Sequence, residues 1–348
     1  MSELRKDPVS GAWVVIAPEQ EPGVRLERLE LPETPKGECP FCPGNEDGWG
    51  PEILSYRPLG PNPEHSRWGL RVVPNRVPVL RTDVVYDRQT DGLFDRMVGV
   101  GANEIVIESP EHALALKDFS VDQLTLVLKA WRERLVDLFR DIRLKYISVV
   151  KNQGRRAGAR ISHPHSQIVA TPTVPIGIRD ELESARKYFD TNERNLFVDL
   201  LDRELEEEKR IVARSHGFVA FCPFASKQPF EVWVFPTQPA CHFGNESDGE
   251  LAELAGVLSK ICKAIAESLY DPDVNVVLKT APNPHSGRRR WLTLEEDFVW
   301  RIEVVPRVLR PSGYENATGM RVNPTAPEDA ATSLRDSLRR IEEKKPDA

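Results

Sequence analysis

Long apolar runs are missing from this 348-residue chain, and no stretch approaches the ~18–20 residues needed to span a bilayer. The opening MSELRKDPVSGAWVVIAPEQ also lacks the long apolar core of a secretory signal, so a cytoplasmic protein with no membrane partner is the expectation. Positive charge is in deficit: Lys and Arg total 47 against 54 Asp and Glu, a formal charge of -7. That balance is wrong for a protein that coats nucleic acid, so no nucleic-acid partner is expected, although a local cationic pocket is compatible with it. Cysteine is scarce, with five residues at positions 39, 42, 222, 241 and 262. An odd number without an export signal does not make a disulfide framework. Histidine is scarce too, at 65, 112, 163, 165, 216, 242 and 285.

What the chain has is an ordinary globular balance, 40% apolar and 29% charged. Its length suits two domains or one large one. The 29 prolines flank many strand-like runs and announce a loop-rich fold. Such runs, rich in β-branched and aromatic residues, are Trp13–Ala17, Glu104–Glu108, Tyr146–Val150, Gln167–Ala170, Phe218–Phe221, Glu231–Phe235, Val274–Leu278 and Arg301–Val305. Two helices are predicted from apolar spacing, Val121–Arg143 and Asp248–Leu269, each opened by a capping box: Ser120 with Gln123, and Ser247 with Glu250. Arg179–Arg214 reads as a charged helical excursion between them, and residues after about 340 as a frayed tail.

These elements come in the same order twice. NEIVIESPEH, a helix, YISVVKNQG, a glycine-rich loop and HSQIVATP are followed by FEVWVFPTQPACH, a helix, VNVVLKTAP, a polar loop and WRIEVVPR. An internal duplication accounts for this. The expected fold is α+β in two modules, with the boundary near residue 173. Setting the halves against each other places Gln167 opposite Glu303, His165 opposite Arg301 and His163 opposite Val299. The second half has no histidine pair, so chemistry is expected in the first.

The sharpest local signal is the segment from Gly154 to Gln167, GRRAGARISHPHSQ. Side chains alternate along a strand, so His163 and His165 project to one side. The glycines let backbone N–H groups approach an anion, and Arg155, Arg156 and Arg160 add positive charge. Two histidines beside an anion-binding loop suit phosphoryl or nucleotidyl transfer, with a neutral imidazole attacking phosphorus. The alternative is a pair of structural or surface histidines. The second signal is Cys39-Pro-Phe-Cys42, half of a tetrahedral zinc site. No other close cysteine pair exists, so the missing ligands are histidines or carboxylates, with His112 and His163 the natural candidates. A redox dithiol and two plain core cysteines are the other readings.

CPFCPGNE, NEIVIESPEH, KNQGRRAGARISHPHSQ, PFEVWVFP and GYENATG occur in this order over nearly the whole chain. Together they resemble the galactose-1-phosphate uridylyltransferase family of the histidine-triad superfamily, including its ADP-glucose phosphorylase-like relatives. The resemblance implies two tandem histidine-triad-like modules, each an antiparallel sheet with packed helices. Residues 1–173 would carry the zinc and the catalytic histidine, and 174–348 would bind the acceptor or sugar phosphate. It implies that His165 is the nucleophile and Gln167 a donor to the α-phosphoryl oxygens. Asn152, Gly158 and Arg160 would complete the phosphate cradle, and Cys39, Cys42, His112 and His163 would hold one structural zinc. Asn75 resembles a nucleoside-contacting position, its alternative being a turn residue after Pro74. Tyr314 and Glu315 match a sugar-phosphate-binding segment, with a structural turn as the alternative. The implied reaction moves UMP from UDP-glucose to galactose 1-phosphate through a uridylyl-histidine, in ping-pong fashion. An ADP-sugar phosphorylase using phosphate, a nucleotide hydrolase and a non-catalytic zinc-stabilised nucleotide binder are the alternatives. The expected partners are a nucleoside-diphosphate sugar and a hexose 1-phosphate, and a homodimer is implied.

The chain departs from the family pattern at several places. Some relatives hold a second metal partly through a His-x-His in the second module. Here that strand reads Arg301-Ile302-Glu303, so no second metal is expected. Position 160 is Arg where better-known members have a small hydroxyl residue. Arg288-Arg289-Arg290 reads as a solvated loop able to help hold an anionic acceptor. GVRLERLELPETPKGE lacks the usual arginine-containing pattern, which leaves the base open.

Overall fold

The computed structural model describes residues 1–19, 35, 37–49, 51–57, 68–286 and 291–344. Most of the GVRLERLELPETPKGE stretch and Arg288–Arg290 lie outside these. In chain order the first half contains β1 (Glu3–Lys6), β2 (Trp13–Ile16), β3 (Leu54–Tyr56), β4 (Leu70–Pro74), β5 (Arg88–Asp91), β6 (Phe94–Met97) and β7 (Ala102–Ile107). Then come α1 (Val121–Leu138), β8 (Tyr146–Gln153) and β9 (His165–Thr171). After these follow α2 (Ile176–Asn192), α3 (Leu196–Glu207), β10 (Ile211–Arg214), β11 (Phe218–Phe221), β12 (Val232–Pro236), α4 (Asp248–Leu269) and β13 (Val274–Lys279). The chain ends with α5 (Leu294–Asp297), β14 (Arg301–Pro306), α6 (Gly313–Thr318), β15 (Arg321–Asn323) and α7 (Pro327–Glu343).

Ten strands form one sheet in the order β10-β11-β12-β14-β13-β8-β9-β7-β4-β3. Each of its pairings is antiparallel. The seam between the halves is β8 against β13, in register from Gln153↔Val274 to Val149↔Leu278. A smaller sheet joins β1, β2 and β15, and β5 and β6 make a separate hairpin. The fold is therefore α+β around one continuous antiparallel sheet. None of the helices among the described residues is long and apolar enough to cross a membrane.

One face of the sheet carries the large core. Leu124, Val127, Leu128, Trp131 and Leu135 of α1 and Leu251, Leu254, Leu258, Ile261 and Ile265 of α4 pack on Val72, Val106, Val149, Ile168, Val276, Ile302 and Val304. On the other face the cores among the described residues lie at the flanks. Cys39, Phe41, Cys42 and Trp68 cover Val73, Ile105 and Ile107 at one flank. Helices α2 and α3 cover Val219, Phe221, Trp233 and Phe235 at the other, through Ile178, Leu182, Phe197 and Leu201. Between the flanks, Gln167, Val169, Val150, Asn152, Val277, Lys279 and Glu303 are half-buried, so the middle of this face is a trough.

Several expectations need correction. Ser120 accepts the Gln123 N–H at 3.1 Å, but the Gln123 amide does not return to Ser120. It donates instead to the carbonyls of Gly69 and Glu108, tying α1 to the ends of β4 and β7. Of the two predicted boxes, only the one at Ser247 and Glu250 is reciprocal, and α6 has another at Ser312 and Glu315. Helix α1 stops at Leu138 rather than Arg143, because Asp141 accepts the Arg143 N–H in a turn at 2.9 Å. The excursion over 179–214 is two helices followed by a strand, since β-branched Ile211 and Val212 pair β10 onto β11. The last helix runs to Glu343, past the expected fraying point, with Ala330, Ala331, Leu334 and Ser337 buried.

Candidate active site and metal centre

The first histidine pair sits where β9 begins, between β7 and β8. His165 lies opposite Ile107, and Gln167 lies between Ile105 and Val150, all on the trough face. Ser166, pointing the other way, accepts a hydrogen bond from Trp131 Nε1 at 2.8 Å. That buried bond fixes the alternation and hence the face on which His165 and Gln167 emerge.

Cys39, Cys42, His112 and His163 converge, with their ligand atoms all within 4.8 Å of one another. Cys42 Sγ lies 3.2 Å from His112 Nδ1 and 3.6 Å from His163 Nδ1, and Cys39 Sγ lies 3.7 Å from His163 Nδ1. Tetrahedral bonds of about 2.3 Å to sulfur and about 2.0 Å to nitrogen put S and N about 3.5 Å apart, so the spacing fits one metal ion. His163 Nε2–H donates to the Ser109 carbonyl at 2.7 Å, which turns the Nδ1 lone pair toward the thiols. Burial pushes the His163 pKa down to about 4, leaving the ring neutral as a ligand must be.

The next histidine is held by the first. His165 Nδ1–H donates to the His163 carbonyl at 2.8 Å. Its Nε2 therefore carries the lone pair. The ring is buried, 7% exposed, with Phe41 at 5.2 Å between centroids. Burial also lowers its pKa, so the neutral, nucleophilic form prevails.

Downstream of β8 the loop turns through Gly154 (φ +85°) and Gly158 (φ +93°). A Cβ at Gly154 would stand 1.9 Å from Asp273 Oδ1, so no other residue fits there. Asn152 is half-buried beside this loop, whereas Gly158, Arg155 and Arg160 face solvent. Asn75 follows β4. Its Oδ1 accepts the Val77 N–H at 3.1 Å in a local turn, and its Nδ2 donates to Asn103 at 3.2 Å. Tyr314 and Glu315 lie on α6. The Glu315 carboxylate accepts the N–H groups of Ser312 and Val322, and Tyr314 is half exposed with its hydroxyl on Met320 Sδ. Their side chains are thus engaged within their own segment, apart from the histidine cluster.

Arg301, which the sequence pattern sets against His165, lies on β14. Buried Arg301 binds Glu181 at 2.8 Å and Glu303 at 2.7 Å, and it stacks on Trp233 at 4.6 Å. Lys279 adds a contact to Glu181 at 3.3 Å. Burial alone would raise the Glu181 pKa, but Arg301 and Lys279 outweigh it and hold the carboxyl well below the usual range. Sequence reasoning missed Glu181, Lys279, Asp273 and Asn275. The available signal was a polar residue inside an otherwise apolar central strand, as in VNVVLK.

The chain matches the family model "Galactose-1-phosphate uridyl transferase, N-terminal domain" over residues 1–175, and "Domain of unknown function (DUF4921)" over residues 113–346. It is 32% identical over 343 residues to ADP-glucose phosphorylase of Arabidopsis thaliana, covering 96% of this chain and 92% of that protein. It is 28% identical over 348 residues to galactose-1-phosphate uridylyltransferase of Thermotoga maritima, covering 97% and 99%. The crystal structure of an Arabidopsis thaliana ADP-glucose phosphorylase with bound ADP-glucose shares the fold at a TM-score of 0.79 and 30% identity, over 97% of this chain and 99% of that one. Matched by the model over half its length and by these transferases from end to end, the chain belongs to the galactose-1-phosphate uridyl transferase family.

Proposed function

We propose that this protein is a nucleotidyltransferase acting on a nucleoside-diphosphate sugar through a covalent nucleotidyl-His165. The observation that carries the reading is the commitment of His165 Nδ1–H to the His163 carbonyl, which leaves Nε2 as the nucleophile. Nε2 attacks the α-phosphorus, and the bond from that phosphorus to the bridging oxygen breaks. The sugar 1-phosphate departs with the electron pair. A phosphate oxygen of the acceptor then attacks the same phosphorus and returns the imidazole to its starting state. Gln167, on the same face, would donate to the α-phosphoryl oxygens, and the Asn152–Arg160 loop would surround them. Arg160, exposed beside Gly158, would meet the outer part of the ligand.

Within this reaction, ADP-glucose with phosphate as acceptor is the reading favoured by 32% identity to the Arabidopsis phosphorylase. UDP-glucose with galactose 1-phosphate is the second, supported by the Thermotoga relative. The Cys39, Cys42, His112 and His163 set would hold one zinc ion, closed to substrate because four protein ligands fill it. It would fix His163, and through its carbonyl the ring of His165. We also propose the division into modules 1–173 and 174–348, and a homodimer.

The test is incubation with radiolabelled ADP-glucose or UDP-glucose, followed by a search for acid-labile, base-stable label on the protein. Wild type is expected to take up label from one of the two. His165→Asn is expected to take up none while keeping its fold and metal content. Label retained by His165→Asn rules out this nucleophile.

A further inference from the structure

A chain of hydrogen bonds runs from the second half of the sheet into the glycine loop. Arg307 Nε donates to Asn275 Oδ1. Asn275 Nδ2 donates to Asn152 Oδ1 at 2.7 Å and to the Ala157 carbonyl at 2.8 Å. Asp273 accepts the Arg156 N–H on its carboxylate at 2.6 Å and the Arg307 N–H on its carbonyl at 2.7 Å. Strands β8 and β13 pair Asn152 with Asn275 directly. One residue beyond the Lys151↔Ser166 pair of β8 and β9, the register carries Asn152 to the place opposite His165.

The polarity of this chain has one solution. A carboxamide can turn over by 180° with almost no change of shape, exchanging its oxygen and its NH₂. A guanidinium only donates, so Asn275 must turn its oxygen to Arg307. A carbonyl only accepts, so Ala157 demands the NH₂ of Asn275 a second time. Asn152 must then face Asn275 with its oxygen and send its NH₂ outward, beside Gly158. A Cβ built at Gly158 would lie 3.8 Å from that nitrogen. The group sent outward is a hydrogen-bond donor, next to the ring that attacks phosphorus.

We propose that Asn275 and Arg307 are positioning residues that lock the Asn152 carboxamide with its NH₂ toward the α-phosphoryl oxygens. This inference rests on the nucleotidyl-His165 reading. With the lock in place, the donor is already aimed as negative charge grows on those oxygens. Without it, the amide can present its oxygen and repel them.

The experiment measures the single-turnover rate of label transfer from radiolabelled ADP-glucose and UDP-glucose, at saturating and subsaturating concentration. Asn275→Asp keeps the shape but only accepts hydrogen bonds, so Asn152 turns its NH₂ inward. Labelling is expected to slow by about 10²–10³-fold at saturation, the range for loss of one aimed donor. Arg307→Met removes the anchor and is expected to slow labelling about tenfold or more. Arg307→Lys restores a donor-only group and is expected to label at close to the wild-type rate. A purely structural role would make Lys and Met alike in rate and differ in urea midpoint only. A folded Asn275→Asp protein that labels at the wild-type rate, or Lys and Met variants of equal rate, overturns this inference alone. Absence of label on wild type overturns the His165 reading and this inference together.

Discussion

A buried charge is tolerable only with a partner, and Arg301 shows how the second half met that condition. On β14 its guanidinium is spent on Glu181 and Glu303 and its face on Trp233. Removing Glu181 leaves Arg301 to Glu303 alone and takes the carboxylate contact from Lys279 in a dry site, so Glu181→Gln is expected to destabilise the protein by about 3 kcal/mol at neutral pH. The pH dependence has a definite sign. The Glu181 pKa is lowered in the folded state, so its contribution is full above the unfolded carboxyl value of about 4.3 and is lost as pH falls toward the folded value. Urea unfolding of wild type and Glu181→Gln should therefore differ widely at pH 7 and converge below about pH 4. A gap that stays constant over that range excludes the ion pair as its source.

At the scale of elements, periodicity carried most of the information. Helix α4 was legible to the residue, because its apolar stripe and its Ser247–Glu250 box are both local features. The strands of the two expected sets were legible within a few residues for the same reason. Gln123 shows the limit: its local pattern promised a reciprocal cap, but two carbonyls distant in sequence, on Gly69 and Glu108, took its amide. The metal-site residues were named from spacing and resemblance, whereas Asp273 and Asn275 escaped because their roles exist only once β13 lies beside β8. Among the described residues, the loop bearing Cys39 and Cys42 has one short turn of helix, at Glu46–Trp49. It is attached to β4 and β7 by packing on Val73, Ile105 and Ile107, and to the segments after β7 and before β9 by the four convergent ligands. A bound metal there contributes folding free energy directly. Cys39→Ser should hold less metal and lower the melting temperature, by about 1–2 °C for each kcal/mol lost. Inductively coupled plasma mass spectrometry and calorimetry on the same sample check this. Full metal content in Cys39→Ser removes that thiol from the ligand set.

Among the described residues most of the apolar side chains are folded inward, and one stretch exposes several of them. The hairpin of β5 and β6 and the segment leading to it expose Val77, Val79, Val85, Leu93 and Phe94, the last two at 97% and 78%. The ten-stranded sheet does not include this hairpin, and none of the cores among the described residues includes its side chains. A lone protein rarely leaves so many large apolar side chains together in water, and each fully buried one is worth about 1.5–3 kcal/mol. That arithmetic supports the proposed homodimer with the hairpin inside its interface, where five such residues would supply a substantial part of the association energy. Leu93→Glu combined with Phe94→Glu would force two carboxylates into that apolar contact, which costs more than the contact gains. Light scattering coupled to size exclusion should give a dimer for wild type at micromolar concentration and a monomer for the double variant. The variant should keep its melting transition if the hairpin contributes only to association, since its side chains touch none of the cores. A wild-type monomer, or a double variant that remains dimeric, removes the hairpin from any interface.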